Sequence, residues 1–357
     1  MSESPEPGRL VYTPKELLSD GEYAEPLYAG GVLCHGGFES DGAYRPPRTL
    51  HRTPAIAAWQ GQIGAGGGEL VTISDEQVPP QYPSVDQAKL LLKAGVREPI
   101  VRALTVISIL EGFGAIIRDV RVPDLKELLL EPFDGTALAH LDKGLFEAHA
   151  RDEAGYRDQG GHKQMWEAAR DLALENPTVP SDVFMRLMGD RGRARGGGDP
   201  LFPQLDKKLY RMLMMMSQVL VIEVFARGTF EWGIDVLSDP EVSAEPEKAG
   251  TMVRYIQADE SPHVEYLRTG LSEIRTRTLR TVDGKTIAGR EVVDGILHHI
   301  LHRMRESRPR EQRDDTRNAL IAAVDAGEAK KSLLEDFDAM APEWDRPERT
   351  GFEPQAA

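Results

Sequence analysis

Residues 212–230, MLMMMSQVLVIEVFARGTF, read as a helix with an acid in the middle of its apolar face: Leu209, Met212, Met216, Val219, Glu223 and Ala226 recur at three- and four-residue steps. Residues 105–120, TVISILEGFGAIIRDV, repeat the arrangement, with Ile100, Leu104, Ile107, Glu111, Ala115 and Arg118 on one stripe. An ionised carboxylate turned toward a core is so costly that proteins neutralise it, pair it or give it a metal. Two such helices predict a bundle with a polar centre.

A later helix, over about 247–278, supplies partners. Met252, Ile256, Glu260, His263, Leu267, Leu271 and Ile274 share its inner face, and Asp259-Glu260-Ser261-Pro262-His263 lies at its middle. Glu260 and His263, at i and i+3, project from adjacent turns and can hold one ion together. Alone, Glu-x-x-His is a weak signal; on an apolar stripe facing Glu223 it is a strong one.

The remaining helix is expected over about 136–174, interrupted at Gly160-Gly161, with Leu138, Leu141, Leu145, His149, Glu153 and Tyr156 on one side. Glu111 stands to Glu153 as Glu223 stands to Glu260, so the halves form a degenerate repeat. Tyr156 occupies the place of the second half's histidine, so the first half needs a histidine from elsewhere. His149, one turn before Glu153, is the first choice; His162, brought back by a bulge at the glycine pair, is the second. Glu147 points off the stripe and is set aside. Asp152 and Asp259 precede the motif glutamates and are expected to accept the second N–H of a histidine from the opposite half. Gly155 and Pro262 occupy matching positions and loosen the helix beside the ligands.

These residues resemble the ferritin-like di-iron carboxylate proteins, in particular the oxygenase branch that includes p-aminobenzoate N-oxygenase, over about 87–278. The resemblance implies an all-α fold: a ferritin-like four-helix bundle with additional C-terminal helices and an irregular N-terminal extension. Carried over by position, Glu111, Glu223, Glu260 and His263 match, Glu153 matches as the other motif glutamate, and His149 mimics an extra histidine of that branch. The resemblance further implies two iron ions that activate O₂ to oxidise a small molecule or an amine, with electrons from an external donor. Tyr156 is assigned a catalytic role as ligand, hydrogen-bond donor or oxidisable side chain. The hard carboxylate-rich donor set suits iron or manganese.

Outside that region the chain divides into 1–86, rich in Gly, Pro and Tyr and readable as strands or loops; 87–280, the metal-binding core; 281–340, further helices over about 286–305 and 316–340; and a polar tail, 341–357. A net charge of -15 argues against nucleic acid or an anionic membrane face. The single cysteine, Cys34, precludes an intrachain disulfide framework and fits a reducing cytoplasm. No signal peptide or membrane span is read, and a homodimer is expected.

Other signals are read as structural. His298 and His302 fall on an amphipathic helix without a facing carboxylate, and the Met212–Met216 cluster reads as core packing. Arg191–Gly198 reads as a surface loop, and Cys34-His35 and His51 as structural positions. Two rival readings stand beside the oxygenase: a ferritin-like metal-storage protein, and a scaffold whose buried acids pair with Arg102, Arg118 or Arg254.

Overall fold

The computed structural model describes residues 8–187, 199–306, 316–318, 320–322 and 328–340. Among these the chain is mainly helical. The Arg191–Gly198 loop and the 341–357 tail lie outside the described residues.

Three short strands come first: β1 (Glu25–Ala29), β2 (Val32–Phe38) and β3 (Tyr44–Arg45), antiparallel in that order. Helix α1 (Arg52–Ala65) follows, then α2 (Val85–Lys93), α3 (Glu98–Gly114), α4 (Phe146–Ala154), α5 (His162–Ala173), α6 (Lys207–Leu237) and α7 (Pro246–Arg275). A hairpin of β4 (Thr278–Arg280) and β5 (Thr286–Ala288) leads into α8 (Gly289–Glu306), and α9 (Glu328–Ala339) closes the described chain.

Local chemistry sets the ends of the long helices. Asp206 caps α6 by accepting from the N–H groups of Lys208 and Leu209. Pro99 and Pro246 occupy the first turns of α3 and α7, where a missing N–H costs nothing. Helix α7 runs through Pro262 without ending, because the residues before and after it are packed against α5 and α6.

Packing places the acids between two apolar cores. On α7, Ala249, Met252, Val253 and Ile256 belong to a core shared with Trp166, Phe230 and Ile100–Ile107, whereas Tyr266, Leu267, Leu271 and Ile274 belong to one shared with Met212, Met216 and Leu138. Asp259, Glu260 and His263 fall between them. The helices over 98–119 and 207–237 are long and apolar enough by composition to cross a membrane, and α6 buries most of that surface inside the protein.

Three expectations change. The helix expected over 136–174 is in pieces: a 3₁₀ turn at Ala137–His140, a wide turn at Leu141–Leu145, then α4 and α5. Its break begins at Gly155, not at Gly160-Gly161. Gly155 has φ 81° and ψ 168°, a region only glycine enters without strain, and a side chain there would strike the Gln159 carbonyl and the Gly161 amide. Residues 286–288, expected as helix, are β5, paired with β4. The 1–86 segment contains a full helix, α1, whose Gln60 bonds Glu265 and Thr269 of α7, while Trp59 Nε1 donates to the Leu10 carbonyl.

Candidate metal centre

Two groups of buried or nearly buried side chains meet at Glu153. The first group is His149, Glu153, Glu223 and His263; the second is Glu111, Glu153, His162 and Glu260. Within each, one ligand atom per residue lies within 4.8 Å of all the others. Oε1 of Glu153 is 3.7 Å from His149 Nε2, 3.5 Å from His162 Nδ1 and 3.5 Å from His263 Nδ1. Glu260 divides its oxygens, Oε1 lying 2.8 Å from His162 Nδ1 and Oε2 2.7 Å from His263 Nδ1. Glu223 Oε1 is 3.3 Å from His149 Nε2, and Glu111 Oε2 is 3.7 Å from His162 Nδ1. Donors bound to one ion at about 2.0–2.2 Å sit roughly 3–3.5 Å apart, which these spacings approximate.

The break at Gly155 builds the second group. After Gly155 the chain turns through Tyr156–Gln159, closed by two backbone hydrogen bonds of 3.1 Å, and α5 starts at His162. Gly160 N–H donates to the Leu33 carbonyl at 2.7 Å, fastening the turn to β2. His162 thereby lies beside Glu153 although eight residues separate them in the sequence. Gly114 completes the fit, since a Cβ there would meet Glu153 Cγ and Cδ at 2.6 Å. His149 and His162 are therefore not alternatives: both are buried, one in each group.

The histidines are held from behind. Asp152 Oδ2 lies 2.8 Å from His263 Nε2, leaving Nδ1 turned to the cluster. His162 Nε2 lies 3.5 Å from Asp259 Oδ2. His149 Nδ1 lies 3.1 Å from the Tyr266 hydroxyl, and its ring stacks on that of His263 with centroids 3.9 Å apart. Among the described residues, His149 Nε2, both His162 nitrogens, Glu153 Oε2 and Glu260 Oε1 are buried without a hydrogen-bond partner. His162 Nδ1 and Glu260 Oε1 approach each other without hydrogen-bond geometry, as lone pairs directed at a common cation would.

Charge defines the site further. Asp152, Asp259, Glu153, Glu223 and Glu260 are buried, and Glu111 is nearly so. The buried cations at these carboxylates are Arg48 and Arg52, both on Asp152: Arg48 Nε donates to Oδ1 at 2.6 Å and Arg52 Nη2 to Oδ2 at 2.8 Å. Six carboxylates against two guanidiniums leave four negative charges. In the metal-free protein, protons take them up. Burial pushes Glu111 up to about 8 and holds Glu223 well above the carboxylate range, both helped by neighbouring acids. Burial would lower His162 and His263, but Glu260 and the other carboxylates outweigh it and hold both well above an ordinary imidazole. Four protons balance four charges, and two divalent cations would do the same.

Burial is also opposed at Asp152 and Glu260, which Arg48 with Arg52, and His162 with His263, keep well below the carboxylate range. Burial and the charge of His263 lower His149 well below its usual value, so it presents a neutral ring.

Of the residues singled out from sequence, seven metal candidates and both aspartates come together, and Tyr156 does not join them. Its ring is half-buried, with the Arg151 guanidinium 3.9 Å from its centroid and that of Arg157 at 5.1 Å. Glu147 pairs with Arg151 and Arg118 away from the cluster. His298 and His302 are exposed on α8 and belong to no metal-capable group among the described residues. Arg102 pairs with Glu98 and Asp182, and Arg254 donates to Ser238, so neither neutralises a buried acid.

Five participants were not foreseen: His35, Tyr44, Arg48, Arg52 and Tyr266. His35, read as structural from its sequence, is buried with Nε2 3.1 Å from Asp259 Oδ2, while the Tyr44 hydroxyl donates to Asp259 Oδ1 at 2.6 Å. His35, His162 and Asp259 form a third metal-capable group that shares His162 with the second. The requirement that buried Asp152 and Asp259 have partners was the available signal.

No family model matches this chain, and no curated protein or solved structure does.

Proposed function

We propose that this protein is a cytoplasmic, O₂-dependent di-metal oxidase or oxygenase of the ferritin-like type, acting on a small molecule with electrons from an external donor, as a homodimer. The observation that carries the reading is the excess of four buried negative charges at two groups of ligand atoms that share Glu153. One ion is assigned to His149, Glu153, Glu223 and His263, the other to Glu111, Glu153, His162 and Glu260. An oxygen-rich set with one or two imidazoles per ion suits iron, with manganese as the competing metal. Such a pair, when bound, supplies two-electron reduction of O₂.

The protein's own groups perform the rest. Asp152 fixes the ring orientation of His263 and Tyr266 that of His149, while Asp259 faces His162 Nε2 at 3.5 Å. Arg48 and Arg52 hold Asp152 ionised so that it accepts the His263 N–H. Two apolar cores exclude water from either side. Glu111 is the most exposed of the proposed ligand acids, with 12% of its side chain accessible against 7% or less for the others. Access to the pair is therefore assigned to the Glu111 side.

The test is metal analysis of the purified protein beside a Glu223→Ala, Glu260→Ala double variant, followed by absorption spectra before and after ferrous iron and O₂. Two ions per wild-type chain, lost in the variant, and an O₂-dependent absorption change support the reading. Equal, negligible metal in both defeats it. The storage alternative predicts a mineral core and cage-sized particles by light scattering, and a dimer counts against it.

A further inference from the structure

A cavity of about 250 Å³ lies between α3 and α6, with Glu111 in its wall. Along α3 the wall runs from Pro99 through Ala103, Val106 and Leu110 to Glu111. The twelve helical steps from Pro99 to Glu111 span about 18 Å, so this wall is long for the volume it encloses. Ile222 and Phe225 of α6 line it as well. A benzene ring is held by a cavity of about 150 Å³ without such extension, so an 18 Å run suits a linear chain better than a compact ring system.

The two ends differ chemically. Glu111 marks one end of the α3 wall, while Arg102 and Arg186 line the cavity a few turns away. Both guanidiniums share the Asp182 carboxylate, Arg102 at 3.1 Å and Arg186 at 2.6 Å, and Arg102 also holds Glu98 at 2.9 Å; neither acid lines the cavity. Arg186 is two-thirds exposed, free to exchange that partner, and Arg102 Nε is buried without a hydrogen-bond partner among the described residues. Two cations outside, an apolar run, and an acid of the metal cluster inside define the ligand.

We propose that this cavity binds a linear alkyl carboxylate, its head at Arg102 and Arg186 and its terminal carbons at Glu111. That the chain end meets a metal pair rests on the function proposed above; the binding site itself does not.

Calorimetric titration of the full metal-free chain with straight-chain carboxylates from hexanoate to tetradecanoate tests this. Burying each methylene, worth about 0.8 kcal/mol, tightens binding about fourfold per carbon, until the chain reaches Glu111 and the gain stops. Val106→Phe, midway along the wall, moves that plateau to shorter chains while hexanoate still binds, and Ala103→Leu gives the same truncation should the first variant fold poorly. Dodecylamine binds at least tenfold more weakly than dodecanoate. Affinity independent of chain length, a plateau unmoved by both variants, or equal binding of amine and carboxylate overturns the proposal. Metal content counted on the protein as purified, before the metal is stripped for the titration, separates the two readings. Two ions with no chain binding overturn this site alone, and chain binding without metal overturns the di-metal reading alone.

Discussion

Asp152 Oδ2 stands 2.8 Å from Nε2 of His263, two side chains that are 111 residues apart and both fully buried. The aspartate accepts that N–H, so the opposite nitrogen, Nδ1, is the one presented to Glu153 and Glu260. Orienting groups of this kind are commonly worth about 10- to 100-fold in metal affinity. Asp152→Asn keeps the shape and removes the charge, and is expected to weaken the ion on His263 by that factor with little effect on the ion on His162. Competitive titration with a chromophoric chelator reads the two sites, and uniform weakening of both would contradict the assignment.

The same aspartate holds two buried guanidiniums, which no other buried acid touches among the described residues. Removing one partner of a buried pair strands the other, at about 3–5 kcal/mol. Asp152→Ala should therefore unfold at markedly lower denaturant than Asp152→Asn. Adding Arg52→Met to Asp152→Ala should recover part of the loss. Additive effects in this cycle would show that the pair is not coupled.

Gly155 links backbone to site. At φ 81° and ψ 168°, with the Gln159 carbonyl and Gly161 amide against it, any side chain strains the turn by about 1–3 kcal/mol or displaces it. Displacement moves His162, which starts α5 after the turn. Gly155→Ala should lower stability and weaken the ion assigned to Glu111 and His162, leaving the one on His149 and His263. A thermal melt with metal counting checks both, and an unaltered second site would break the link.

Helical periodicity carries only the local part of this site. Glu111, Glu223, Glu260 and His263 were legible because helical spacing is local, and an acid on an apolar stripe stands out within a few turns. The choice between His149 and His162 was not, since it depends on a turn whose geometry Gly155 sets and whose position β2 secures. Tyr156 lies in the same turn: a continued helix would point it inward, whereas the turn sets its ring against Arg151 and Arg157. Arg48, Arg52, His35 and Tyr44 were hidden because their partners lie 100 or more residues away. The Gly- and Pro-rich segment that looked least readable thus supplies the outer support of both aspartates.

Tyr44 gives that support a measurable size. Its hydroxyl donates to Asp259 at 2.6 Å and its ring lies against that of Tyr255, tilted by 31° with centroids 4.2 Å apart. A hydrogen bond to a buried charge contributes about 1.5–3 kcal/mol, and the ring contact survives in phenylalanine. Tyr44→Phe should therefore lose about that much stability in chemical denaturation. Because Asp259 also faces His162, the variant should bind the ion on that histidine more weakly. No change in stability would place the strand outside the site.

Protonation offers the most direct count of the missing charge. Glu111, raised to about 8 chiefly by burial, and Glu223, held well above the carboxylate range by burial and neighbouring acids, are expected to be carboxylic acids at neutral pH in the metal-free protein, and His162 and His263 imidazolium. Each value is raised above that of the unfolded chain, so the stability each group contributes is complete below its unfolded value and is lost as pH rises through its folded value. Between pH 6.5 and about 8 the metal-free protein should lose thermal stability. The loaded protein, whose ligands have already given up those protons, should lose less, so the gap between the two melting temperatures widens with pH. Metal binding at pH 7 should then release about four protons for two ions, counted by calorimetry in buffers of different ionisation enthalpy. Release of one proton or fewer, or a gap that narrows over that window, would mean that something other than metal ions balances these buried acids.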